Sequence, residues 1–329
     1  REDFACAIEA VASSGGQMLP PIMGVAAFLM ADILGIPYIE VVKAGVFPAL
    51  LFYFSVGAAI HLTIHKFGWT TAAEGSFDKS ILLDGIHYII PLGVLLYTLV
   101  VLRFSPLSAG FYTIVALVPS ALFKRLIDAY REDESPGKVA ADFAVTTFDG
   151  LRQGAVDMAP LVGILASLGI VITMVEQTGL GARISFRMLA LAGGILVVLL
   201  LLAMATSILF GLGMPTPAAY IVVAALVAPA LTASETFTIE PLTAHMFVFY
   251  FAMLSAITPP VAVAVAVGAR IADSDFLQSC KQALRIGAPG FVIPFAFVAN
   301  DGIILWSSTT AIDLFVVLTG TVAIVLATI

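Results

Sequence analysis

The chain has 329 residues, 60% of them apolar and only 11% charged, with a formal net charge of −7 and a mean hydropathy of +1.08. Those values lie outside the range of soluble domains and place the protein in a lipid bilayer. The modest charge falls mostly in loops and leaves no footprint for nucleic acid or for an acidic substrate.

Apolar segments run near 4–34 (interrupted), 41–64, 86–102, 106–123, 154–175, 187–231 (interrupted), 242–272 (interrupted), 279–299 and 311–329. The longer ones match the roughly 20 residues that cross about 30 Å of hydrocarbon, and no stretch alternates like a barrel strand, so an all-α polytopic fold is predicted. The first residue is Arg1 rather than Met, and the sequence stops at Ile329 inside an apolar run, so a piece of a longer protein is expected. Cys6 and Cys280 lie in apolar helical contexts without CxxC or a neighbouring His, which predicts buried thiols.

Polar interruptions fall at 66–85, 124–152 and 232–240. Within the second, Val139, Phe143, Thr146, Thr147 and Gly150 at helical spacing suggest an amphipathic helix along the interface, with a solvated loop as the alternative. Lys66, Lys79, Lys124, Arg125, Arg131, Lys138 and Arg152 on one side outnumber Arg103, Arg183 and Arg187 on the other, which puts the first group in the cytoplasm.

Parity then gives a repeat. With 187–231 as a re-entrant hairpin from the outer face, 242–272 runs inward and 279–299 outward, upside down relative to 4–34 and 41–64. Aligning Pro20-Pro21 with Pro259-Pro260 lays "SSGGQMLPPIMGVAAF" on "MLSAITPPVAVAVAVG". Few residues are identical, but the order recurs: apolar half-helix, small and polar residues, Pro-Pro, Ala/Val-rich half-helix, polar turn, then a span containing Pro48 or Pro289. Inverted repeats with interrupted helices are the signature of secondary transporters. The predicted organisation is 1–65 as the second half of a first repeat, 66–152 as scaffold spans with cytoplasmic loops and an amphipathic linker, 153–300 as the second repeat, and 301–329 as a C-terminal span.

Three interruptions carry the candidate chemistry. An unpaired backbone N–H or C=O in hydrocarbon costs several kcal/mol, so non-helical backbone survives only where protein, water or ligand satisfies it. Paired prolines remove two donors and push the preceding residue out of the helical region. Ser13, Ser14, Gly15 and Gly16 precede the first pair, Ser255 and Thr258 precede the second, and "FGLGMPTPAAY" at 210–220 brings Gly211, Gly213, Pro215 and Pro217 to a hairpin tip. Carbonyls at the end of one half-helix suit Na⁺, and N–H groups opening the next suit an anionic group.

Other features fit blander roles. His61 and His65 share a helix face without a third ligand, and His245 is expected as an interfacial anchor. Asp32, Glu9, Asp157 and Glu176 lie in or beside apolar segments, and Glu9, deepest of them, could pair with a cation. "GLGMPTP" lacks the GK[ST] of a phosphate loop, and the chain contains no HExxH, GxSxG or DDxxD, so an intramembrane enzyme is the weaker alternative. The stronger rival is another carrier of the broad ion-transporter superfamily, working without a binding protein.

The segments "EAVASSGGQMLPPIMGVAAFLMADILGIPY", "GLGMPTPAAYIVVAALVAPAL" and "SAITPPVAVAVAVGARIADSD" resemble the large membrane subunit of TRAP (tripartite ATP-independent periplasmic) transporters, in the fused-permease branch that works with TAXI-type binding proteins. The resemblance implies an elevator-type permease in a bacterial or archaeal cytoplasmic membrane, driven by Na⁺ and needing no other cofactor. It also implies an organic acid substrate delivered by a periplasmic solute-binding protein, and a small membrane subunit fused N-terminally. Carried onto this sequence, it gives ion-ligand roles to Ser13, Ser14, Gly16, Gly211, Gly213, Thr216, Ser255 and Thr258, and substrate contacts to Gln17, Pro20, Pro215 and Pro259. The hairpin and spans that the family places before residue 4 are absent from the sequence, so these residues alone are not expected to transport.

Overall fold

The computed structural model describes residues 1–21, 23–69, 85–131, 135–233, 237–300, 302–305 and 319, and among them it is all-α without a strand. Residue Lys79 and the apolar run at 311–329, apart from Thr319, lie outside the described residues. Four helices are long and apolar enough to cross a membrane: Tyr38–Phe67, Pro106–Ala129, Gly137–Thr178 and Phe276–Ala299. Together with the composition, they make this a polytopic membrane protein.

The chain separates into two compact units, one drawn from Arg1–Ile36, Glu40–Thr70 and Leu168–Ile329, the other from Pro37–Ile39 and Thr71–Ser167. In the second unit, α4 (Ile89–Leu96, continued as a π-turn over Tyr97–Val101) packs against α5 (Pro106–Arg131). Large apolar side chains there face outward, with Leu107 86% and Phe148 68% exposed. Water would not tolerate so much exposed hydrocarbon, whereas lipid does. Helix α6 runs unbroken over Pro136–Thr178. A linker helix ending near 150 and a separate span from 154 were expected; Gly150 and Gly154 are isolated glycines without an adjacent proline, which weaken a helix without ending it.

The first unit carries the repeat. Helix α1 (Glu2–Gly15) has 14 residues, as does α11 (Pro241–Leu254), and each starts 239 residues from its counterpart. Each is followed by one 3₁₀ turn, Gly16–Met18 or Ser255–Ile257. Ten-residue half-helices come next, α2 (Val25–Leu34) and α12 (Val263–Ala272), capped by left-handed Gly35 and Asp273. The longer α3 (Tyr38–Phe67) and α13 (Phe276–Ala299) complete the two copies. At 1.5 Å per residue, the half-helices are about 15 to 21 Å long and too short to cross hydrocarbon alone.

Between the copies lie α7 (Leu180–Ala192), α8 (Leu196–Gly211), α9 (Thr216–Leu226) and the short α10 (Ala228–Thr232). Helices α8 and α9 pack on one another as a hairpin, and both pack on α11. That central position buries α11 from Thr243 through Leu254. Helix α1 packs along α12 and α13, and the brief α14 (Gly302–Leu305) follows α13.

Candidate functional site

The two Pro-Pro interruptions take the same backbone path. After the 3₁₀ turn, Leu19 is extended (φ −81°, ψ 112°) and so is Thr258 (φ −99°, ψ 123°), because a residue before proline is excluded from the helical region. The Pro20-Pro21 and Pro259-Pro260 bonds are both cis. The third interruption is the hairpin tip, where Gly213 takes φ +75°, a conformation that side-chain-bearing residues rarely adopt. Helix α9 opens there with Thr216 and Pro217 in its first turn and no side-chain cap, leaving its leading N–H dipoles uncovered.

The interruptions converge on one cavity of about 730 Å³, lined by Glu9, Ser13, Ser14 and Gln17 from the first, by Gly213 to Pro217 from the hairpin, and by Ala256, Val263, Ala264, Val267, Gly268 and Ile271 from the third interruption and α12. Every lining residue belongs to the first unit. Polar capacity in the cavity is unspent. Ser14 is 4% and Thr216 8% exposed, yet neither side chain has a hydrogen-bond partner among the described residues. The Gln17 amide likewise makes no such bond, and its stem packs on Gly24, where a Cβ would stand 3.2 Å from Gln17 Cβ. Ser13 Oγ donates to Glu9 Oε1 at 3.0 Å.

Six of the twelve residues given ion-ligand or substrate roles therefore line the cavity: Ser13, Ser14, Gln17, Gly213, Pro215 and Thr216. The other six lie outside its lining. Ser255 is buried and its hydroxyl lies 2.9 Å from the Gly211 carbonyl and 2.6 Å from that of Ala252, tying the hairpin's first arm to the 3₁₀ turn. A Cβ on Gly211 would meet Ser255 Oγ at 2.6 Å, so this bridge needs glycine. Thr258 Oγ1 donates back to the Leu254 carbonyl at 2.8 Å. Pro20 packs toward α3, its Cγ 3.3 Å from where a Cβ on Gly45 would stand. Gly16 is exposed and Pro259 half-buried.

Tyr53 was not visible from the sequence. Its hydroxyl donates to the Ala12 carbonyl at 2.9 Å, one turn before the first interruption. The available signal was a tyrosine in the middle of a long apolar helix, where its hydroxyl must find a partner. His245 is not an interfacial anchor: it is buried, with Nδ1 2.8 Å from Tyr220 Oη, joining α11 to α9. The His61 and His65 rings stack edge to face, and among the described residues no three His, Cys, Asp or Glu side chains come together. Cys6 is buried with Sγ 3.6 Å from the Val265 carbonyl, and Cys280 is buried too.

No curated protein matches the sequence. The family model of the tripartite ATP-independent periplasmic transporter DctM component matches residues 1–312. That match covers both copies of the interrupted helix and the hairpin between them, so the chain belongs to the DctM family, the large membrane component of transporters that also comprise a periplasmic binding protein and a small membrane subunit.

Proposed function

We propose that this chain forms the translocation pathway of a Na⁺-coupled permease that imports an organic acid handed over by a periplasmic solute-binding protein of the TAXI type. The observation that carries this reading is the cavity where three helix interruptions meet, with the side chains of Ser14, Gln17 and Thr216 in its lining and unpartnered among the described residues. Polar groups that line a cavity without protein partners are free to bond an ion or a solute that enters it. Within the cavity the hydroxyls of Ser13 and Ser14 and the backbone oxygen of Gly213 are the Na⁺ ligands in this reading, while Gly16, Gly211, Ser255 and Thr258, outside its lining, hold the backbone around the ion. The uncapped start of α9 at Thr216, with Gln17 opposite, receives the solute's carboxylate; Pro20, Pro215 and Pro259 shape the backbone around it.

The two copies run in opposite directions through a cytoplasmic membrane, and the interruptions travel together because one compact unit contains them all. Elevator-like displacement of that unit alternates access to the cavity. The experiment is solute uptake into liposomes containing the full-length permease and its small subunit, with an inward Na⁺ gradient, with and without the binding protein. The reading requires uptake that collapses when K⁺ replaces Na⁺ and that needs the binding protein. Uptake independent of the binding protein would assign the chain to a simpler carrier mode, and uptake indifferent to Na⁺ would overturn the coupling.

A further inference from the structure

The cavity is electrically lopsided in a way that bears on which acids it takes. Glu9 is the one ionisable side chain in its lining, and no Lys, Arg or His among the described residues joins it. A solute carrying only negative charge would enter against this uncompensated carboxylate.

Around Glu9 the oxygens are arranged to accept hydrogen bonds. Ser13 Oγ spends its proton on Glu9 Oε1 at 3.0 Å, which leaves the serine lone pairs and the second carboxylate oxygen as acceptors. Helix α12 packs along this stretch of α1, with Cys6 Sγ 3.6 Å from the Val265 carbonyl, and gives the cavity Val263, Ala264, Val267 and Ile271. A bare alkali ion, like other hard cations, wants a full shell of oxygens, and this wall is mostly hydrocarbon. An ammonium group needs only two or three acceptors and tolerates apolar neighbours beyond them.

The other pole is the start of α9, an 11-residue helix whose first turn lacks a side-chain cap. Thr216 stands there with its hydroxyl in the cavity wall, 8% exposed and without a partner among the described residues. A buried hydroxyl held at a helix N-terminus suits a carboxylate.

We infer that the cavity takes a small zwitterionic solute, its carboxylate at Thr216 and the start of α9, its ammonium at Glu9, which Ser13 positions, and its carbon skeleton against α12. This rests on the permease reading above and narrows its organic acid to an amino-bearing one.

The test is binding to the purified permease with its small subunit, in Na⁺, measured calorimetrically so that the binding protein's own selectivity plays no part. The probes are matched pairs that differ only in the amino group: L-glutamate with glutarate, L-leucine with 4-methylpentanoate, 4-aminobutyrate with butyrate. The amino member of at least one pair should bind and its partner should not. Glu9→Gln, which keeps the side chain's shape, should weaken that binding by about tenfold or more, the scale of a lost charge-assisted hydrogen bond. Ser13→Ala should weaken it less, and Glu9→Gln should still bind Na⁺ alone. Equal binding of both members of every pair, or binding of neither, overturns the inference. So does a Glu9→Gln variant that loses Na⁺ binding, because the carboxylate then serves the ion. Na⁺-driven uptake by the complete system, alongside any of those results, leaves the permease reading standing without this one.

Discussion

The two interrupted helices share a backbone and divide the labour. In the first, the last turn of α1 carries Ser13 and Ser14, and the 3₁₀ turn carries Gln17, all lining the cavity. Shifted by 239 residues, those positions become Ala252, Met253 and Ala256, and only Ala256 lines the cavity. The second copy instead places its hydroxyls at Ser255 and Thr258, where the first has Gly16 and Leu19, and turns them inward to the carbonyls of Gly211, Ala252 and Leu254. Repetition of the path therefore does not mean repetition of the chemistry. One interruption gives the cavity its hydroxyls and the other braces the hairpin beside it.

Packing around the interruptions is also complementary. Helix α1 ends at Gly15 and α11 at Leu254, and Phe52 of α3 reaches both Gly15 and Gly290 of α13. The buried Phe52 ring fills the gap, since a Cβ would stand 2.5 Å from it on Gly15 and 2.7 Å from it on Gly290. The two copies thus interlock through one aromatic ring.

Removing that ring should have the largest effect. Phe52→Ala is expected to cost about 3–5 kcal/mol, read as a fall in the thermal unfolding midpoint of the purified protein. Gly290→Ala should cost about 1–3 kcal/mol, because its methyl also meets Leu254 Cδ2 at 3.2 Å. The double variant should lose less than the sum of the two, and strict additivity would break the idea that both copies lean on Phe52.

Next in size is Gly211→Ala, expected to destabilise by about 1–3 kcal/mol through its clash with Ser255. Adding Ser255→Gly should recover part of that loss, which separates a steric bridge from a general intolerance of the hairpin end. Tyr53→Phe should cost about 0.5–1.5 kcal/mol by leaving the Ala12 carbonyl with the Gly16 N–H alone. Shifted by 239 residues, that position is Val292, which has no hydroxyl to lose, so the comparison sharpens if only the first interruption loosens, as hydrogen exchange around Ala12 would report. The smallest effect on stability belongs to Ser14→Ala, within about 0.5 kcal/mol, because the hydroxyl has no partner to lose. Its Na⁺ affinity should fall nonetheless, and unchanged affinity in calorimetry would remove Ser14 from the ion site.

The sequence carried the positions of the interruptions because Pro-Pro and Gly-Gly act locally, through missing donors and excluded dihedrals. It also carried the pairing of the copies, since Pro20 and Pro259 fix the alignment that α1 and α11 then obey residue by residue. What it could not carry was direction. Ser13, Ser14, Ser255 and Thr258 look alike as hydroxyls before a break, and only the packing of α11 against the hairpin decides that the last two turn inward. Tyr53, Phe52 and Gly290 escaped for the same reason: they sit on uninterrupted helices, and their role exists only where separate helices meet. The unbroken α6 shows the limit of reading polarity as a boundary, because the polar residues from Lys138 to Arg152 change a helix's surroundings without ending it.

The central claim is that the cavity between the interruptions binds the coupling ion. Met214 lines it at the hairpin tip, half-buried, and serves as a reporter outside the proposed ligands. With Cys6 and Cys280 replaced by alanine, a Met214→Cys permease should react with a water-soluble thiol reagent, and Na⁺ should slow that reaction relative to K⁺ at equal ionic strength. Labelling at the same rate in both salts would contradict the account.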